Sequence, residues 1–168
     1  MSATWGGSIA LSQTPELVWT FLTSEANDVN WRSPWVRSVR RLTDGPLDIG
    51  TRYSTVYRFF GRLEDVIVEI TELDPPRRMA WRQVDSDTVV SNVGSYDLES
   101  IEGGTRFTVT GTFVSRGWRR LIDAPFAWYL RHGLVQRQHA QLRAALERAD
   151  RSTRSSPGDG DTPTSRHP

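Results

Sequence analysis

An α+β fold is predicted, with a curled seven-stranded antiparallel sheet wrapped around a long C-terminal helix and two short helices after the first strand. Three observations predict it. Residues 35–117 run as apolar–polar alternations separated by hairpin-length turns. Residues 126–150 form one amphipathic stretch with no Pro and only Gly133 to weaken it. Between the opening strand and the meander lie two short segments of helical spacing. So extended a sheet must cover one face, and the last helix is the only sizeable cover, so the sheet curls around it and leaves a hollow.

Each element has its own signals. Residues 4–12 read as the opening strand. Thr14 is placed to N-cap a helix whose first position is Pro15, where the missing N–H costs nothing, and Glu16 suits the helix dipole. Val18, Phe21 and Leu22 recur at helical spacing in it. A second short helix covers Glu25 to Trp31 and is closed by Ser33-Pro34. Strands follow at Val36–Leu42, Thr51–Phe60, Arg62–Leu73, Arg78–Asp85, Val89–Ile101 and Thr105–Ser115. Asp44-Gly45-Pro46, Gly61, Asp74-Pro75-Pro76 and Gly103-Gly104 supply turns between them. Trp118 to Asp123 begins the last helix, Pro125 punctuates it, and Phe126 to Asp150 carries it on. One domain is therefore expected over residues 1–150. Residues 151–168 hold no large apolar side chain and are expected to form a disordered polar tail.

Composition excludes several chemistries. The 168 residues contain no Cys and no Lys, which removes thiolate metal sites, Cys nucleophiles, Schiff bases and a P-loop lysine. A net charge of +1 gives no strong field toward nucleic acid, so none is expected as a partner. The N-terminal MSATWGGSIAL lacks a basic stretch and a long apolar run, and no segment is apolar enough to span a bilayer, so a cytoplasmic location is expected. A monomer or homodimer is expected, with membrane contact transient at most.

A set of short stretches carries a family resemblance. They are Thr14-Pro15-Glu16-Leu17-Val18-Trp19, the Trp31 segment, Leu42-Thr43-Asp44-Gly45-Pro46 leading to Gly50-Thr51, and Glu72-Leu73-Asp74-Pro75-Pro76-Arg77-Arg78. Gly104-Thr105-Arg106-Phe107 and Leu142-Arg143-Ala144-Ala145-Leu146-Glu147 complete it. In that order the chain resembles the START-like SRPBCC superfamily, in its polyketide cyclase/dehydrase and lipid transport branch. The resemblance implies a helix-grip fold with a ligand cavity between sheet and helix. It also implies a range of activities, from lipid carriers to aromatic-polyketide cyclases, and fold kinship alone does not choose among them.

Strand alternation assigns the cavity faces. Tyr53, Thr55, Tyr57 and Phe59 point inward, as do Val66, Val68 and Ile70, then Met79, Trp81 and Gln83. Asn92, Gly94, Tyr96 and Leu98 face in on the next strand, and Phe107, Val109, Gly111 and Phe113 on the last. At 100° per residue the long helix presents Ala127, Trp128, Leu134, Val135, Leu142, Ala145 and Leu146. Arg131 and Gln138 fall within that stripe, and His132 and His139 at its edge. The candidate ligand-binding set is thus Tyr53, Thr55, Tyr57, Phe59, Val68, Trp81, Gln83, Asn92, Tyr96, Phe107, Val109, Trp128, Arg131, Val135 and Gln138. An apolar wall with a few polar groups is the composition of a small-molecule pocket.

No metal and no cofactor are expected. His132 and His139 lie seven residues apart rather than four, and neither Gly6-Gly7 nor Gly103-Gly104 sits in a phosphate-loop setting. A hydrolase elbow and an inward carboxylate pair are also missing. Three readings stay open: a binding or carrier protein for a hydrophobic small molecule (lipid, isoprenoid or polyketide-like), a polyketide cyclase or dehydratase working by general acid–base catalysis, and a regulatory interaction module with a vestigial cavity. For the second, Arg131, Tyr57 and His132 are the catalytic candidates, Arg131 to polarise a carbonyl and the others to move protons. The segment Ser115–Ile122 mixes Arg with Trp, Leu and Ile; it reads as a solvated loop whose Trp118 caps the core, or else as a membrane-docking or lid segment.

Overall fold

The computed structural model describes residues 2–59, 61–86 and 89–154. Strand β1 (Ala3–Leu11) leads into helices α1 (Pro15–Leu22) and α2 (Glu25–Arg32), followed by β2 (Val36–Arg41) and β3 (Arg52–Phe59). The meander continues through β4 (Arg62–Asp74), β5 (Arg78–Asp85), β6 (Val89–Ile101) and β7 (Gly104–Ser115). The order β1-β7-β6-β5-β4-β3-β2 makes one antiparallel seven-stranded sheet with β1 and β2 at its edges. This is the helix-grip arrangement.

Local chemistry sets the joints. Thr14 N-caps α1, its hydroxyl accepting the Leu17 N–H, with Pro15 in the first turn. At the β6–β7 turn Gly103 has φ +79°, and a Cβ on Gly104 would sit 1.9 Å from the Leu11 carbonyl oxygen, so only glycine lets β1 close on the hairpin. Nearby, the Thr105 hydroxyl donates to the Gln13 carbonyl at 2.7 Å and ties the end of β1 to β7.

The C-terminal cover is compound rather than one regular helix. A 3₁₀ segment (Gly117–Ile122) passes into α3 (Asp123–Tyr129), then a π segment (Leu130–Leu134), then α4 (Val135–Arg154). Pro125 stands third in α3, where its missing N–H would have had no intrahelical partner. Helix α4 runs four residues past the expected boundary at Asp150, with the Ser152 hydroxyl donating to the Arg148 carbonyl in its last turns. Residues 155–168, where the polar tail is expected, lie outside the described residues.

The π segment corrects the expected helix face. Its wider turn adds one residue to the winding, so positions before it are displaced by one from a 100° wheel. Ala127 is buried as the regular wheel has it, but Leu130 is buried with it, and Trp128 and Arg131, which that wheel also turns inward, are exposed. Downstream the wheel holds, with Val135, Leu142, Ala145 and Leu146 buried. The main core joins these to Val18, Trp31, Tyr96, Phe107 and Val109. Phe107 and Leu142 are wholly buried, worth about 1.5–3 kcal/mol each in transfer free energy. A second cluster of Phe113, Ala127, Leu130 and Leu134 holds α3 and the π segment to the sheet.

Candidate functional site

Among the described residues, a larger and a smaller hollow lie between sheet and helices. The larger, of about 710 Å³, is lined by strands β1 and β3–β7, by the 3₁₀ segment and by the helix as far as Gln138. The smaller, of about 70 Å³, lies under α1, α2 and the β2–β3 connection. Arg32, Tyr57, Trp81 and Tyr96 line both and so form the septum between them. The larger volume falls within the range of small-molecule sites.

Sheet register builds an aromatic floor. Trp5 pairs with Gly111, Gly111 with Gly94, and Gly94 with Trp81, in one row across four adjacent strands. A Cβ on Gly111 would come within 2.4 Å of the Trp5 indole, and one on Gly94 within 2.5 Å of the Trp81 indole. The two rings therefore lie over bare backbone, and both line the larger hollow. Tyr96 packs on Trp81 with ring centroids 4.8 Å apart.

A half-buried cation stands at the septum. Arg32 donates from Nη2 to the Tyr57 hydroxyl oxygen at 2.7 Å and from Nη1 to Asp28 at 3.2 Å. Its guanidinium carbon lies 5.6 Å from the Tyr57 ring centroid and 5.9 Å from that of Trp31. Burial alone would depress its pKa; the Tyr57, Asp28 and Tyr96 oxygens outweigh that, and Arg32 is held above its ordinary value. Burial pushes the Tyr96 phenol up, with Arg32 opposing. The Tyr57 hydroxyl oxygen is thus a fixed acceptor that orients the guanidinium at the boundary of the two hollows. Asn92 Oδ1 is shielded from solvent without a protein partner among the described residues.

Of the expected ligand set, Tyr53, Thr55, Tyr57, Val68, Trp81, Gln83, Asn92, Tyr96 and Gln138 line one hollow or the other. Phe107, Val109 and Val135 instead pack in the core, away from both. Trp128 is 65% exposed and stacks on His132 at 4.9 Å. Arg131 and His132, two of the catalytic candidates, are on the surface: Arg131 donates to the Thr4 carbonyl at 3.2 Å, and His132 Nδ1 lies 3.0 Å from the Trp128 carbonyl. The displaced helix phase accounts for all three. The Phe59 side chain lies outside the described residues. Arg32, Asp28 and Trp5 were not anticipated. The i,i+4 spacing of Asp28 and Arg32 was the available signal, but an eight-residue helix does not say which face meets the sheet.

The comparisons come down on one family. The sequence model described as polyketide cyclase/dehydrase and lipid transport matches residues 7–147. Among solved structures, the Zhui aromatase/cyclase from Streptomyces sp. R1128 is similar at 20% identity and TM-score 0.68, covering 92% of this chain and 98% of that one. A START superfamily protein from Mycobacterium smegmatis is similar at 9% identity and TM-score 0.74, covering 88% and 99%. The protein TTHA0849 from Thermus thermophilus reaches TM-score 0.73 at 17% identity, covering 87% and 98%. At these identities the likeness is one of fold. No curated protein matches the sequence.

Proposed function

Taking as premise that the chain belongs to the polyketide cyclase/dehydrase and lipid transport family, we propose that it binds a hydrophobic, oxygen-bearing small molecule in the larger hollow. The observation that carries this reading is the pairing of an aromatic floor with the half-buried Arg32 guanidinium. Trp5 and Trp81 offer a flat apolar surface, which suits a planar ring system better than a flexible chain. Arg32, oriented by its hydrogen bond to the Tyr57 hydroxyl, offers guanidinium donors to a carbonyl, carboxylate or enolate oxygen at its edge. A cavity of about 710 Å³ argues against the vestigial-cavity reading.

Anilinonaphthalene sulfonate, a planar apolar anion, tests the proposal by fluorescence titration. We expect saturable binding that weakens about tenfold or more in Arg32→Met, as befits loss of a charge-assisted hydrogen bond. Tyr57→Phe deletes one oxygen with little effect on packing and should weaken binding by a smaller factor. Unchanged affinity in both variants would overturn the assignment.

A cyclase or dehydratase is the second reading, favoured by the same pair. A cation and a phenol aimed into an apolar hollow would steady the oxygen of an enolate formed during aldol-type closure. On this reading Arg32 takes the role first considered for Arg131, and Tyr57 remains a candidate where His132 does not.

A further inference from the structure

The 3₁₀ segment Gly117–Ile122 presents an unusual surface. Trp118 is 72% exposed and Leu121 83%, so Trp118 does not cap the core as the sequence suggests. Both project three residues apart on a helix of three residues per turn, hence on one side. Ile122 is 44% exposed and, across the opening, Leu63 at the start of β4 is 66% exposed. Trp118, Ile122 and Leu63 all line the larger hollow, so these exposed apolar groups mark its mouth.

Arginines crowd the 3₁₀ side of this mouth. Arg116, Arg119 and Arg120 flank Trp118 and Leu121 in the chain, and Arg62 adjoins Leu63. Among the described residues none of these four makes an ion pair. On the 3₁₀ side the nearest acid, Asp123, is buried and accepts the Ser115 N–H at 3.1 Å, whereas Glu64 and Asp65 keep their charge on the β4 side, accepting from Ser86 and Ser54. The Asp123 bond fixes the 3₁₀ segment to the end of β7, so the patch is held in place.

Exposed Trp and Leu interleaved with Arg that no carboxylate neutralises is the pattern of a segment that lies in a membrane interface. Apolar side chains enter the headgroup boundary while guanidinium groups pair with anionic lipid. No described helix is long and apolar enough to cross a bilayer, so contact of this kind would be peripheral and reversible. We infer that the mouth of the larger hollow is a docking face for an anionic lipid surface, with Trp118 and Leu121 as the inserting groups. Docked in this way, the opening faces the bilayer, and an apolar molecule passes between lipid and cavity without crossing water.

Vesicle co-sedimentation tests this without any cargo, so its outcome is independent of what the cavity holds. The probes are vesicles of phosphatidylcholine alone and of an equal mixture with phosphatidylglycerol. We expect the full chain to partition onto the mixed vesicles and only weakly onto the neutral ones, with a blue shift of Trp emission. Trp118→Ala/Leu121→Ala should lose about tenfold of that partitioning. Arg116→Gln, Arg119→Gln and Arg120→Gln should each lose about fivefold. All these side chains are on or near the surface, and an unchanged melting temperature confirms that each variant is folded. Equal binding to both vesicle types, binding to neither, or full binding by the Trp118/Leu121 variant would overturn the inference. A surface meant for an acidic protein instead of lipid would give the second of these results.

Discussion

His139 sits where α4 meets the sheet, its ring edge-on to Phe107 at 5.9 Å and lying against the bare backbone of Gly7. Neither ring nitrogen has a partner among the described residues. Burial, with Arg143 one turn on adding repulsion, lowers its pKa from 6.5 to about 4. The folded chain thus keeps His139 neutral down to about pH 4, whereas the unfolded chain takes up the proton near pH 6.5. The unfolded state binds more protons in that window, so stability is full above pH 6.5 and falls as pH drops toward 4. Leucine has no proton to gain and no unpaired nitrogen. Urea midpoints measured across the window should therefore decline less steeply in His139→Leu than in the wild type. Parallel declines would show that His139 has no share in the acid sensitivity.

At the level of elements, the Trp5–Gly111–Gly94–Trp81 row ties cavity shape to sheet register. A methyl group on Gly111 would meet the Trp5 ring at 2.4 Å and must displace it, an overpacking cost of about 1–3 kcal/mol. Gly111→Ala should be destabilising by that amount in chemical denaturation, and much less so in a Trp5→Ala background. Additive effects would mean that the ring and the glycine are not coupled. The same row explains why strands were legible. Alternation has a period of two, so Gly94, Gly111, Trp81 and Tyr96 could be put on the inner face from sequence alone. Helices were less so: hydrophobic spacing places α4 correctly but carries no mark of the π segment, and a one-residue slip there put Trp128 and Arg131 inside. Arg32 stayed hidden for another reason. Its role depends on how the packing of α2 brings Arg32 to Tyr57 of β3, a tertiary relation with no local periodicity to reveal it.

For the whole molecule, a sheet that curls around one helix cannot fill its own interior, and on the proposed function the side chains left in the hollow serve a ligand before they serve stability. Asn92 is the clearest instance. Its Oδ1 is shielded and unpartnered among the described residues on the wall of the larger hollow, a position that favours a donor from a ligand over any contact within the chain. An unpaired buried carbonyl oxygen costs about 1–3 kcal/mol, and for a domain of this size each kcal/mol moves the melting temperature by about 2–4 °C. Asn92→Leu removes that cost and adds apolar contact, so the empty protein should melt higher. The same change deletes a hydrogen-bonding group from the cavity, so affinity for anilinonaphthalene sulfonate should fall. Stability and binding moving in opposite directions would mark Asn92 as a group kept for its ligand at the fold's expense. If both fall together, Asn92 is part of the scaffold, and the polar share of the site narrows to Arg32 and Tyr57.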